Sequence, residues 1–160
     1  MVPLFMKRVL FISSGGGHLE ELLQLKSLFD SCEYLIVTEK TPTTTSFFDK
    51  FENIRFLKYG TKDHLLPYLF IFPYNWFLSK KIFKEFKPDF VITTGTHTAV
   101  PMCYIAHKAG KKVIYIETFA NVNTPTKAGK MVYEIADKFI VQWPDMLKIY
   151  DKAECWGSIF

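Results

Sequence analysis

The stretch "SSGGGHLEELLQL" (Ser13–Leu25) follows directly on the apolar run Val9–Ile12 and sets the fold class. Continuous apolar residues are typical of a strand that is covered on both faces. Beyond the glycines, Leu22, Leu25 and Phe29 recur at helical spacing, and acidic residues occupy the first turn, where they favour a helix start. A strand, a glycine turn and an amphipathic helix predict an α/β fold.

The remaining chain repeats this strand–helix rhythm. We predict strands at Arg8–Ser13, Tyr34–Thr38, Ile54–Leu57, Phe90–Thr94, Val113–Ile116 and Phe139–Gln142. Helices are predicted at His18–Phe29 and Thr98–Lys108, and Thr41–Ser46 is expected to be a polar loop. The pattern indicates one Rossmann-like domain over residues 1–160, an open parallel sheet with helices on both faces that binds ligands at the carboxyl ends of its strands.

Composition narrows the classes of function. The chain has 160 residues, 49% of them hydrophobic and 17% aromatic, which suits a globular domain with apolar surface left for a membrane or a partner. The net charge is +4 and the basic residues are mostly scattered, so no nucleic-acid partner is expected. Three distant cysteines without metal-binding spacing indicate neither a disulfide framework nor a zinc site.

The glycine loop is the first candidate binding site. Free N–H groups of Gly15, Gly16 and Gly17 at a helix start, next to Ser14, are suited to a phosphate, a diphosphate or a developing oxyanion. The loop lacks the lysine of a P-loop, and it matches only half of a dinucleotide fingerprint, although Glu39 stands where a ribose-binding acid would be. A stand-alone nucleotide-binding module and a purely structural turn therefore remain alternatives.

The residue after the glycines and two further loops that follow strands supply candidate catalytic and binding groups. His18, in the first helical turn, is a candidate general base, and Glu117 at the end of the fifth strand could share that role. Gly95, Thr96 and His97 offer backbone and hydroxyl contacts to a sugar or phosphate. The structural alternatives are a packing histidine, a glycine needed for close helix packing, and a carboxylate that caps the next loop.

The third feature is an apolar segment at residues 65–87 that ends in a lysine cluster. Its uncharged part, Leu65–Leu78, is too short to span a bilayer. We expect it to lie in a membrane interface or against a partner, in two short helices because Pro67 and Pro73 interrupt it. The predicted contact residues are Leu69, Phe70, Phe72, Tyr74, Trp76, Phe77, Lys80 and Lys81. A buried crossover helix is the alternative.

Four stretches carry a resemblance: "ISSGGGHLEELLQL", "VITTGTHTAVP", "YIETFANVNTPTKAGKMVYEIADKFIVQWPDM" and "KAECWGSIF". Together they resemble the asparagine-linked glycosylation protein fourteen family, and more closely its bacterial relatives of the PssD/CpsF type in exopolysaccharide and capsule synthesis. The resemblance covers nearly the whole chain. It implies the amino-terminal, acceptor-side half of a GT-B glycosyltransferase whose donor-binding half is a separate PssE/CpsG-like protein.

The resemblance also implies an activity. A hexose or N-acetylhexosamine would pass from a UDP-sugar, held mainly by the partner, to a polyprenyl-diphosphate-linked acceptor at the cytoplasmic face of the plasma membrane. By likeness to the peptidoglycan transferase MurG, His18 would act on the acceptor hydroxyl, and no cofactor or metal is expected. Eukaryotic members begin with a membrane-spanning segment not found in this sequence, so peripheral anchoring through residues 65–87 is expected. A non-catalytic membrane recruiter of a partner transferase is the alternative.

Overall fold

One parallel sheet of seven strands organises the computed structural model, which describes residues 6–46, 53–60 and 65–160. The strands are β1 Arg8–Ile12, β2 Glu33–Lys40, β3 Ile54–Lys58, β4 Phe90–Thr93, β5 Lys112–Ile116, β6 Lys138–Val141 and β7 Glu154–Cys155. Their order is β3-β2-β1-β4-β5-β6-β7, so the winding direction reverses between β1 and β4. The six predicted strands are confirmed; β7 was missed because two residues show no apolar pattern.

The helices connect successive strands. They are α1 Gly17–Leu23, continued by a 3₁₀ helix at Gln24–Ser31, then α2 Pro42–Thr45, α3 Leu65–Phe86, α4 Val100–Lys108 and α5 Lys127–Val132, with a second 3₁₀ helix at Pro144–Lys148. The expected polar loop at Thr41–Ser46 is instead a short helix. Thr41 and Thr44 form a reciprocal cap, in which each backbone N–H donates to the other hydroxyl, at 2.8 and 3.1 Å.

Helices cover both faces of the sheet, as predicted. Side chains alternate along β1, so that Leu10 and Ile12 pack with α3, α4 and α5, whereas Val9 and Phe11 pack with α1 and the first 3₁₀ helix. Burial on both faces explains why the strands read as continuous apolar runs. The two apolar clusters hold the carboxyl ends of β1 and β4 side by side.

α3 is a single helix that continues through Pro73, which corrects the expected pair of short helices. Pro67 lies in the first turn, where a missing N–H costs no hydrogen bond. Pro73 removes the hydrogen-bond donor of the Leu69 carbonyl, and this turn lies on the exposed face of the helix, where Leu69 is 58% exposed. Among the described residues, no helix is both long and apolar enough to cross a bilayer.

Asn75 fixes α3 against the end of β3. Its side chain is 7% exposed and pairs with both backbone groups of Lys58: the Lys58 N–H donates to Oδ1 at 2.9 Å and Nδ2 donates to the Lys58 carbonyl at 2.7 Å. The amide thus replaces a neighbouring strand at the outer edge of the sheet.

Asn75→Ala is expected to lower the free energy of unfolding by about 1–3 kcal/mol, because two backbone groups of Lys58 lose their partner. Urea unfolding of the purified chain measures this change. Asn123→Ala, which alters an exposed asparagine, should stay within about 0.5 kcal/mol of the parent. Equal stability of the two variants would show that Asn75 does not anchor α3.

Candidate functional site

The loops that follow β1 and β4 are joined by hydrogen bonds at the point where the sheet reverses direction. The Ser14 N–H donates to the Gly95 carbonyl at 3.3 Å, and the Thr94 hydroxyl donates to the His18 carbonyl at 2.6 Å. A third bond joins His18 Nδ1 to the Thr94 carbonyl at 2.8 Å. The structure therefore brings together two of the three predicted loops, at the edge where open α/β sheets bind ligands.

The bond from His18 to Thr94 also sets the tautomer of the imidazole. A carbonyl oxygen only accepts, so Nδ1 carries the hydrogen and Nε2 of the neutral ring is left as an acceptor. In the part of the chain that the structure describes, Nε2 has no hydrogen-bond partner. The ring is half-buried in the first turn of α1. This state is the one a general base requires.

The glycine loop presents unpaired backbone donors. None of the N–H groups of Gly15, Gly16 and Gly17 meets an acceptor within the described residues. Gly16 has a φ of 70°, which favours glycine, whereas a Cβ on Gly17 would meet no atom within 4 Å. The fold itself therefore does not demand glycine at position 17. Because α1 has only seven residues, these N–H groups, rather than a long helix dipole, are what the loop offers an anion.

Gly95 serves close packing rather than ligand contact. Its φ is 96°, and a Cβ there would lie 3.1 Å from the Tyr115 hydroxyl. Gly95 is buried, and its N–H donates to the Thr93 hydroxyl at 2.9 Å. Close packing against Tyr115 of β5, rather than against a helix as in the stated alternative, therefore accounts for this glycine. Its neighbours Thr96 and His97 line the cleft described next.

An open cleft of about 810 Å³ lies between the loops after β1, β2, β3 and β4. It is lined by Ser14, Gly15, Gly16, Glu39, Lys40, Thr41, Pro42, Thr43, Tyr59, Gly60, Thr96 and His97. Five of the predicted binding residues are thus in its wall, while Gly17, Gly95, His18 and Glu117 are not among the lining residues. The wall formed by α2 was missed, because "TPTTTS" shows no helical periodicity.

Glu117 is buried and already occupied. It is 1% exposed, and its carboxylate accepts from the Thr126 hydroxyl at 2.9 Å, the Tyr150 hydroxyl at 3.1 Å and the Thr118 N–H at 3.1 Å. Burial and the adjacent carboxylate raise the pKa of Tyr150, so its hydroxyl stays a donor. These contacts occupy both carboxylate oxygens and correspond to the loop-capping alternative.

A second buried carboxylate, Glu21, was overlooked. It is 4% exposed and accepts from the Thr118 hydroxyl at 2.6 Å, the Phe119 N–H at 3.2 Å and Gln142 Nε2 at 3.1 Å. Glu21 thereby ties α1 to the loop after β5. The available signal was its spacing of three from His18, which places it on the same inward helical face.

The predicted membrane or partner residues divide between two faces of α3. Most of them share one exposed face: Leu69, Phe70, Tyr74 and Phe77, followed by Lys80 and Lys81. Phe70 is 79% and Phe77 is 67% exposed. Phe72 and Trp76 are instead half-buried, and the Trp76 ring lies 6.3 Å from that of Tyr104 on α4. For these two residues the alternative of packing within the chain holds.

No metal centre is formed in the described parts of the chain, where no three histidine, cysteine, aspartate or glutamate residues converge. All three cysteines are free. The groups that the site offers are an imidazole acceptor, backbone N–H donors that meet no acceptor among the described residues, and hydroxyl groups.

A family model described as "Oligosaccharide biosynthesis protein Alg14 like" matches residues 9–159. The chain belongs to the Alg14-like family. Among relatives, the "UDP-N-acetylglucosamine transferase subunit ALG14" of Rattus norvegicus is 28% identical, over 94% of this chain and 82% of that protein. The protein of the same name from Schizosaccharomyces pombe is 27% identical, over 97% and 84%. Both relatives are eukaryotic.

Two solved structures contain a region with the same fold as this chain. MurG from Acinetobacter baumannii superimposes with a TM-score of 0.70 at 18% identity, over 87% of this chain and 42% of that chain. The UDP-N-acetylglucosamine 2-epimerase of Rickettsia bellii gives 0.73 at 14% identity, over 97% and 46%. The chain spans less than half of each protein, and it has the Rossmann-like, GT-B-like fold that was predicted.

Glu117→Gln is expected to lower the free energy of unfolding by about 2–3 kcal/mol, since the amide nitrogen cannot accept from Thr126 or Tyr150. Urea unfolding of the purified chain measures this loss. Glu134→Gln, which alters a side chain 72% exposed in a surface ion pair, is the matched control and should change stability little. Equal stability of Glu117→Gln and the control would show that these internal hydrogen bonds do not hold the loop after β5 in place.

Proposed function

We propose that the chain is the acceptor-binding, membrane-associating subunit of a two-part glycosyltransferase. It moves a hexose or N-acetylhexosamine, foremost N-acetylglucosamine, from a UDP-sugar to a polyprenyl-diphosphate-linked acceptor. The observation that supports this most is the His18 imidazole beside the glycine loop, which Thr94 fixes and whose Nε2 meets no partner among the residues that the structure describes. The names of the relatives, which call them transferase subunits, support a separate donor-binding partner.

In this proposal the acceptor diphosphate binds the free N–H groups of Gly15, Gly16 and Gly17. The acceptor hydroxyl gives its proton to His18 Nε2, and its oxygen bonds to the anomeric carbon as the bond from that carbon to UDP breaks. The partner holds the UDP-sugar and the departing UDP, so the site is complete only in the heterodimer. The reaction needs neither a metal nor a cofactor.

Membrane association uses the exposed face of α3. Phe70, Tyr74 and Phe77 enter the interface of the bilayer, while Lys80 and Lys81 meet anionic headgroups. A second hollow shares Lys40 and Tyr59 with the cleft, and its wall also contains Tyr74 of α3. The membrane-facing surface therefore adjoins the acceptor cleft. We place this peripheral association at the cytoplasmic face of the plasma membrane.

The biological setting follows the resemblance of the sequence. We propose synthesis of a surface polysaccharide, an exopolysaccharide or capsule, on a lipid-linked oligosaccharide, with a PssE/CpsG-like donor-binding partner. A second candidate, a non-catalytic recruiter of a self-sufficient transferase, draws support from the exposed α3 face and from the internal bonds of Glu117. It differs in leaving His18 without a role in turnover.

His18→Asn keeps a donor for the Thr94 carbonyl but removes the base. In the complex co-purified from native membranes, kcat should fall about a hundredfold or more, with an unchanged KM for the UDP-sugar. A radiolabelled UDP-N-acetylglucosamine transfer assay gives both values. His107→Asn, at an exposed position of α4, should be neutral, and unreduced turnover in His18→Asn would favour the recruiter.

Phe70→Ser and Phe77→Ser should each weaken binding to phosphatidylglycerol-containing vesicles about tenfold, because each removes an aromatic side chain from the interface. Vesicle co-sedimentation of the purified chain measures this partitioning. Leu28→Ser, at a position 41% exposed in the first 3₁₀ helix, should bind like the parent. Unchanged binding of both α3 variants would remove this face from the membrane contact.

A further inference from the structure

Glu39 is a buried carboxylate in the wall of the acceptor cleft. It lies near the end of β2 and is only 4% exposed, yet it lines the open cleft beside Ser14, Gly15 and Gly16. A buried carboxylate is costly unless each oxygen meets a donor. Its partners therefore show what Glu39 is placed to do.

Two threonines hold Glu39 in place. The Thr98 hydroxyl donates to Oε1 at 2.6 Å, and the Thr44 hydroxyl donates to the Glu39 backbone carbonyl at 2.5 Å. Thr98 follows the loop after β4, and Thr44 lies in α2, so both sides of the cleft fix this residue. Its side chain is thus oriented before any ligand arrives.

The second carboxylate oxygen is left over. Among the residues that the structure describes, no donor pairs with Oε2, and no lysine or arginine forms an ion pair with Glu39. Glu21 and Glu117 differ in this respect, because donors of the chain itself meet both of their oxygens. The unpaired oxygen of Glu39 is therefore available to a donor that enters the cleft.

The cleft consequently has two parts with opposite chemistry. The glycine loop offers N–H donors, which suit phosphate oxygens, whereas the Glu39 carboxylate repels phosphate and accepts from O–H or N–H groups. A sugar attached to a diphosphate presents both kinds of group within one molecule. About 810 Å³ is of the size usual for small-molecule sites.

We propose that Glu39 is a specificity residue that accepts a hydrogen bond from one hydroxyl or amide N–H of the acceptor sugar. This inference rests on the proposed function and deepens it. It assigns to this chain the choice of the sugar that is extended, while the choice of the donor stays with the partner. A site built to bond a hydroxyl discriminates strongly against a sugar that lacks it.

The test uses the co-purified complex with UDP-N-acetylglucosamine and a short-chain polyprenyl diphosphate carrying glucose or N-acetylglucosamine. Monodeoxy analogues of whichever sugar is accepted are then compared. Glu39→Gln keeps an oxygen for Thr98 and turns the cleft-facing atom from an acceptor into a donor. Glu20→Gln makes the same chemical change on an exposed side chain of α1 and serves as the matched control.

The analogue that lacks the attacked hydroxyl cannot react and is left aside. Among the others, we expect one to have a kcat/KM about ten- to a hundredfold below that of the intact acceptor, both with the parent complex and with Glu20→Gln. Glu39→Gln should lose about the same factor with the intact acceptor and show no further loss with that analogue. Its KM for UDP-N-acetylglucosamine should not change.

If the loss caused by Glu39→Gln and the loss caused by the analogue add for every analogue, Glu39 does not bond the acceptor sugar. A raised KM for the UDP-sugar alone would also overturn the proposal and would point to a contact with the nucleotide ribose. If Glu39→Gln does not fold, the parent complex alone still tests the proposal. An equal kcat/KM for the intact acceptor and for every remaining deoxy analogue would exclude it. Failure of the parent complex to transfer to either acceptor would instead overturn the proposed function together with this inference.

Discussion

The two hydrogen bonds between His18 and Thr94 hold the loops after β1 and β4 together, and the rest of the site depends on them. They are reciprocal: the imidazole donates to the Thr94 carbonyl, and the Thr94 hydroxyl donates to the His18 carbonyl. One pair of contacts thus orients the ring, fixes its tautomer and aligns the glycine loop with the second loop. Because β1 and β4 are adjacent only where the sheet changes direction, the site requires this strand order.

Three buried glutamates surround this junction and perform different tasks. Glu21 joins α1 to the loop after β5, and Glu117 closes that loop on itself and on Tyr150. Glu39 keeps one oxygen that no donor of the described residues meets. The same type of side chain therefore joins structural elements at two positions, and at the third we propose that it recognises the acceptor sugar. The three glutamates differ in how many donors of the chain itself bond to their carboxylate oxygens.

Sequence patterns predicted the sheet, the helices on both its faces and the glycine loop with His18, since each depends on neighbours in the chain. Loop capping by Glu117 was foreseen as an alternative, because Thr118 and Thr126 are near it in the chain. The bonds to remote partners were not predictable: Tyr150 lies 33 residues from Glu117 and Thr118 lies 97 residues from Glu21. The predicted break of α3 at Pro73 was wrong for a related reason. The free-energy cost of a proline in a helix depends on the surroundings of the carbonyl that loses its hydrogen bond, which the local sequence does not give.

The position of α3 has a consequence for kinetics. In a parallel sheet the helix after β3 begins at the carboxyl edge, so the apolar turns of α3 lie on the side of the molecule where the cleft opens. Tyr59 and Tyr74 line one hollow there. In the proposed function the chain docks through these turns and meets its lipid-linked acceptor by lateral diffusion in two dimensions. The acceptor concentration that matters is then its density in the bilayer, and turnover depends on membrane area rather than on cell volume.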